Sequence, residues 1–372
     1  MLPDSLVIAA GRLGSLRKNG GAESAARLLL SRISAPSPSP RDVLQSVIVL
    51  EAEGLLSFTK PSHHEITDRI LRGGAFPESG RIPVDWKNPV EALRVIELAI
   101  VQAQSIAESF EAKGGFCVNI FSDSYPGKLR LMEKQRFSKS GKELSPEHDA
   151  PDVLFCMGER SLIVKSMLGI TGSAYPSEEG RVSSYYIGRA AGRAGVPVLS
   201  LLSRGSPEAA LTGALDAGGP VIAVLGSGLS SVPQGAMHDL AERILESGGL
   251  LVSEYLPGTS FAAFQLTAEN RIIGTLPSAL VITETPSGGE PFHAARRCAA
   301  AGVRLYAVSF RGEALRSRPV SAGNLELIRD MAHLPSHPAR FPISSPSAGA
   351  EPSPGAQCDA CFLSLIPITL YM

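Results

Sequence analysis

From residue 151 onward the apolar positions fall into short unbroken runs. Val153–Cys156, Leu168–Thr171, Val196–Leu202, Val221–Leu225, Leu250–Ser253, Ala279–Thr283 and Arg304–Val308 are rich in Val, Ile, Leu and Ala. A strand apolar on both faces is covered on both faces, which is the habit of parallel sheets. Helix-like segments separate several of these runs, among them Arg181–Ala194, Glu208–Ala217 and Met237–Glu246. Strands alternating with helices predict an α/β fold, a Rossmann-like parallel sheet flanked by helices.

The first 150 residues follow a different pattern. Ala25, Leu28 and Leu29 recur at helical spacing ahead of a Ser/Pro linker, Ala35-Pro36-Ser37-Pro38-Ser39-Pro40. A second helix is predicted over 41–53, with Val43, Val47 and Leu50 on one face and Asp42 at the positive end of its dipole. Gly54 stops it, and Leu55–Lys60 reads as a short strand. This small, mainly helical N-terminal domain fits a winged-helix module or a plain helical subdomain; element order alone does not choose between them. Asn88-Pro89 then starts a longer helix through Ile96 and Ala107, and Phe116–Phe121 reads as a strand. The expected organisation is a helical domain at 1–75, a helical lead-in at 76–150, the Rossmann-like domain at 151–337 and a poorly ordered Ser/Pro-rich tail at 338–372.

Composition narrows the function. Hydrophobic residues make up 44% of the 372 and charged residues 19%, values of a globular protein. With 35 basic against 36 acidic residues the net charge is −1, so binding of a polyanion would need a local cationic patch. Cysteines at 117, 156, 298, 358 and 361 form no disulfide framework, which points to a reducing cytoplasm. Cys358 and Cys361 make a lone CxxC without the second ligand pair a zinc site requires, so no metal site is expected. The chain opens without a basic, then apolar, leader. Its apolar end, 361–372, is far shorter than the roughly 20 residues a membrane helix needs.

In a doubly wound sheet, ligands meet the carboxyl ends of the strands, where glycine turns lead into helix N-termini. Four turns have that form: Gly169-Ile170-Thr171-Gly172-Ser173, Ser203-Arg204-Gly205-Ser206, Gly226-Ser227-Gly228 and Ser287-Gly288-Gly289. Their order and surroundings carry a resemblance. Gly172-Ser173 with Tyr175-Pro176-Ser177 and Gly180, the stretch 198–215, Ala223–Leu229, and Ser253-Glu254 with Pro257-Gly258-Thr259 belong to it. So do Asn270-Arg271-Ile272-Ile273, Ser287-Gly288, Gly323–Ile328 and the upstream Asp123-Ser124-Tyr125-Pro126. Over about half its length the chain resembles the DNA-processing protein A (DprA/Smf) family.

That resemblance implies a protein that binds single-stranded DNA and hands it to a recombinase, with no catalysis and no cofactor. It leaves open a homodimer and a setting in DNA uptake, recombination or phage defence. Phosphate contacts are expected from Arg204 and Arg271, and hydrogen bonds from Gly172, Ser173, Ser203, Gly205, Gly226, Gly228, Ser287 and Gly288. Asn270 would orient a loop or a base edge. Arg296 and Arg297, on a later helix, are expected to matter less for binding. The family pattern is broken in three places. Ala174 replaces an arginine, Gly205-Ser206-Pro207 replaces Gly-Ile-Asp, and Glu269 stands where a basic residue precedes the Asn-Arg pair. Loss of cations and gain of a carboxylate lower the expected affinity for phosphates. A nucleotide sensor or a phosphoribohydrolase-like enzyme on a related domain is the alternative; there Glu254 or Glu284, each following a strand, would be the acid. His63-His64, Trp86 and Cys298 are read as surface, packing and core residues.

Overall fold

A computed structural model describes residues 45–47, 103, 105–120, 122–129, 150–232, 234–261, 266–310, 318–329 and 363–368. Of the helix expected over 41–53, residues 45–47 are described and are helical; the helix expected around Ala25, Leu28 and Leu29, the strand at 55–60, His63-His64, Trp86, the loop at 134–148 and the CxxC pair lie outside the described residues. The chain divides into two compact units. The first holds residues 1–125, 130–156 and 254–258. In it a helix over 105–111 leads to strand β1 (Gly115–Asn119), whose sheet neighbour is β2 (Val153–Gly158). Phe110 meets the edge of Phe155 at 5.9 Å, and the Tyr125 hydroxyl donates to Pro151 O at 2.6 Å, so this unit has its own core. Gln45 Nε2 donates to Glu254 O at 2.6 Å.

The second unit holds 126–129, 157–253 and 259–372. Its strands are β3 (Leu168–Thr171), β4 (Val198–Leu201), β5 (Val221–Leu225), β6 (Leu250–Ser253), β7 (Ala279–Ile282), β8 (Arg304–Phe310) and β9 (Leu363–Ile368). They lie in the order β6-β5-β4-β3-β7-β8-β9. All pairs from β6 to β8 are parallel, with Leu168 opposite both Val198 and Ala279. Every residue of β4, β5, β6 and β7 is buried, as the unbroken apolar runs predict. The seven predicted strands of this region are present, β2 among them, with ends moved by at most two residues. β9 differs from expectation: the apolar end of the tail pairs antiparallel with β8, Leu305 opposite Ile368. Leu363–Ile368 satisfies the free edge of β8, a use for apolar sequence that the tail's Ser/Pro content hides.

Helices α1 (Glu178–Arg193), α2 (Ser206–Asp216), α3 (Ala236–Glu246), α4 (Leu266–Thr275), α5 (Glu290–Ala301) and α6 (Ala322–Arg329) cover the strands. α1 is written into its sequence. Ser177 caps it by accepting from Gly180 N at 3.1 Å, Glu178 and Glu179 sit in its first turn, and Arg193 sits in its last. α1 and α2 approach until backbone meets backbone. A Cβ on Gly188 would collide with Ala210 O, and one on Gly213 with Tyr185 O. No described helix is long and apolar enough to cross a membrane.

Candidate nucleic-acid interface

Because β3, β4, β5 and β7 are parallel, their carboxyl ends share one edge, and the four glycine turns all leave from it. From β3 the chain steps outward through β4, β5 and β6, then returns to the other side of β3 as β7. The crevice of such a fold opens at that reversal, between the ends of β3 and β7.

Here the crevice is filled by the chain itself. Ser173 N donates to Glu284 O at 2.7 Å, closing the β3 turn on the β7 turn. The Glu284 carboxylate is 1% exposed. Its Oε2 accepts from Ser177 N at 2.6 Å; its Oε1 accepts from Ser177 Oγ at 2.9 Å and Ser321 Oγ at 2.7 Å. A carboxylate at a helix N-terminus takes the place a bound anion would take. The absent Cβ of Gly180 makes room for it. Glu284, weighed from sequence only as an acid, thus holds α1 in place. Glu254, the other candidate, is buried in the first unit.

The second turn is folded inward as well. Gly205 has φ +83 and its missing Cβ would lie 2.5 Å from Ala174 O, so glycine is required and the two turns touch. Ser206 N donates to Ser173 O at 3.0 Å, Glu208 N to Ser203 O at 3.0 Å, and Gly205 N reaches Glu208 Oε2 at 3.4 Å. The N–H groups of Ser173, Gly205 and Ser206, expected to face an anion, are therefore spent inside the fold. Gly172 packs on Thr283 and Ser206; the Ser206 hydroxyl is buried with no hydrogen-bond partner among the described residues. In the third turn Gly228 N donates to Thr259 O at 2.8 Å. Gly226 backs onto Glu269, whose Oε1 would lie 2.5 Å from an added Cβ. Glu269 is 4% exposed, so a carboxylate lies against the third turn.

Of the expected cations, Arg204 is exposed, with no ion pair or hydrogen bond to another described residue. Arg271 is half-buried on α4. Asn270, 3% exposed, donates from Nδ2 to Glu290 Oε2 at 2.8 Å and so ties α4 to α5. Ser203 is half-exposed, and Ser287 and Gly288, with φ +65, are exposed at the β7 turn. Arg297 is buried on α5. Cys298 is core, as predicted. Sequence reasoning passed over Tyr175 and Phe261, side chains exposed at 87% and 51% in loops of this edge. For Tyr175 the signal was an aromatic residue in a Gly/Ser/Pro turn with no apolar neighbour at strand or helix period; Phe261, with Ala263 and Phe264 beyond it, carried no such signal. His238, Asp239 and Glu242 bring ligand atoms within 4.8 Å of one another on α3, where solvated helix faces commonly carry such groups.

The family model for DNA recombination-mediator protein A matches residues 122–341. Protein Smf of Escherichia coli is 33% identical over 136 residues, 37% of this chain and 36% of that one. DNA processing protein DprA of Streptococcus pneumoniae is 33% identical over 142 residues, 38% of this chain and 50% of that one. The chain thus spans half or less of the length of these two curated relatives. The X-ray structure of the Streptococcus pneumoniae protein superimposes with a TM-score of 0.56 at 23% identity, covering 81% of this chain and 91% of that one.

Proposed function

This chain belongs to the DNA recombination-mediator protein A (DprA/Smf) family, and we propose that it binds single-stranded DNA along the carboxyl edge of its second unit, without catalysis. The observation that carries the reading is the convergence of four glycine turns on one edge, with the unpaired Arg204 exposed on it. Small residues let a strand approach the backbone, and a free guanidinium meets a phosphate. Delivery to a recombinase, self-association and a setting in uptake, recombination or defence belong to the same proposal.

The enzyme alternative needs a carboxyl group free to move a proton. Three donors already hold Glu284, which favours the binding reading.

Fluorescence anisotropy with labelled oligo-dT tests it. Arg204→Ala and Arg271→Ala weaken binding equally across sequences, because phosphates carry no base information. Each lowers the salt slope by about 0.7, the share of one phosphate contact on a single strand. Arg193→Ala, at the far end of α1, leaves both unchanged. Absence of wild-type binding at low salt overturns the proposal.

A further inference from the structure

Four large apolar side chains are exposed among the described residues: Val164, Tyr175, Val196 and Phe261. The two valines precede β3 and β4, at the amino edge of the sheet. The two aromatics follow β3 and β6, at the carboxyl edge.

Backbone contacts fix both loops to the glycine turns. Ala174 O abuts Gly205, so Tyr175 and Arg204 are each one residue from the same contact. Tyr175 N is held by Ser173 Oγ at 3.0 Å. Phe261 follows Thr259, whose carbonyl accepts from Gly228 N at 2.8 Å. With strands in the order β6-β5-β4-β3, the edge presents Phe261, the Gly226–Gly228 turn, Arg204 and then Tyr175. Three strand spacings, about 14 Å, separate β6 from β3. A splayed strand along that edge meets an aromatic face, a cation and a second aromatic face.

Charge here is scarce. Ala174 and Glu269 stand where the family pattern has basic residues, and Glu269 lies against the third turn. An aromatic face stacks with any base and needs no charge. We propose that Tyr175 and Phe261 are base-stacking platforms, so that this chain holds single-stranded DNA chiefly through its bases. The inference rests on the DNA-binding reading and names the groups that replace lost phosphate contacts.

The full chain is titrated by anisotropy with labelled oligo-dT and with an abasic oligomer of equal length, at low and moderate salt. Wild type is expected to bind oligo-dT at least about tenfold tighter than the abasic strand. Tyr175→Ala and Phe261→Ala each weaken oligo-dT binding by about five- to 150-fold, the range of one stacked base. Both leave abasic binding and the salt slope unchanged, and Tyr175→Phe restores wild-type affinity. Both side chains are exposed, so neither replacement disturbs the fold. Equal wild-type affinity for the two strands overturns the proposal. So does oligo-dT binding that responds to Arg204→Ala but to neither aromatic variant; the DNA-binding reading then survives alone. Wild-type binding to neither strand overturns both.

Discussion

Replacing Glu284 separates a brace from an acid. In Glu284→Gln the shape is kept and one oxygen becomes a donor. If the new NH2 takes the Oε2 position it faces Ser177 N–H, which cannot turn away; at Oε1 it faces two hydroxyls, which can. The second orientation wins. The Ser177 hydroxyl already accepts from Gly180 N, so the loss is near one charge-assisted bond, about 1.5–3 kcal/mol. Glu284→Ala strips the acceptor from three donors and leaves a void, for about 3–5 kcal/mol, a large part of a domain stability of about 5–15 kcal/mol. Urea unfolding should show the midpoint falling in the order wild type, Gln, Ala at constant m. If Glu284→Gln kept the wild-type midpoint and instead abolished a nucleotide-hydrolysing activity of the wild type, the brace would be refuted.

Gly188→Ala and Gly213→Ala should each lower the melting temperature. Overpacking against a facing carbonyl costs about 1–3 kcal/mol, more than the roughly 1 kcal/mol that alanine gains in a helix, and a rise in either would refute the backbone-to-backbone contact. Hydrogen bonds from Arg243, then Tyr185, hold the Asp216 carboxyl below its usual range. That contribution is present above the unfolded carboxylate value of about 3.9 and lost as pH falls through the folded one. Asp216→Asn should therefore cost at most about 1 kcal/mol at pH 7, the worth of an exposed pair, and nothing near pH 2; an equal cost at both pH values would count against the pairing.

The strands were legible because burial on both faces leaves an unbroken apolar run, as in Val221–Leu225, which matches β5 to the residue. α1 was legible as a helix-like segment between two apolar runs, though its start was placed three residues late because Ser177 was not read as a cap. α4 was missed: Leu266–Thr275 carries Glu269, Asn270 and Arg271 in succession, and their polarity resembles a loop. The gathering of the four glycine turns at one end of the sheet follows the prediction, but not the fate of their polar groups. Which N–H meets a ligand and which meets a carbonyl depends on contacts such as Ser206 to Ser173, 33 residues apart, which no local pattern encodes. Burial of Arg297 likewise follows from the fit of α5 against Gly274, not from its own sequence.

The bonds from Ser321 and Asn324 set an order of assembly. Asn324 Nδ2 donates to Thr283 O and Val308 O at 3.0 Å each, and its Oδ1 accepts from Thr285 N at 2.8 Å. Ser321 completes the carboxylate that seats α1, whose first residues were synthesised more than 140 positions earlier. Chains emerge from the ribosome at about 5–20 residues per second, so the first crossover of the domain waits many seconds for its last support. Until then the β3 turn has Glu284 without Ser321, or neither. A nascent chain halted before residue 319 would carry nearly the whole sheet yet lack the Ser321 hydroxyl that completes the seat of the Glu284 carboxylate beneath the first glycine turn.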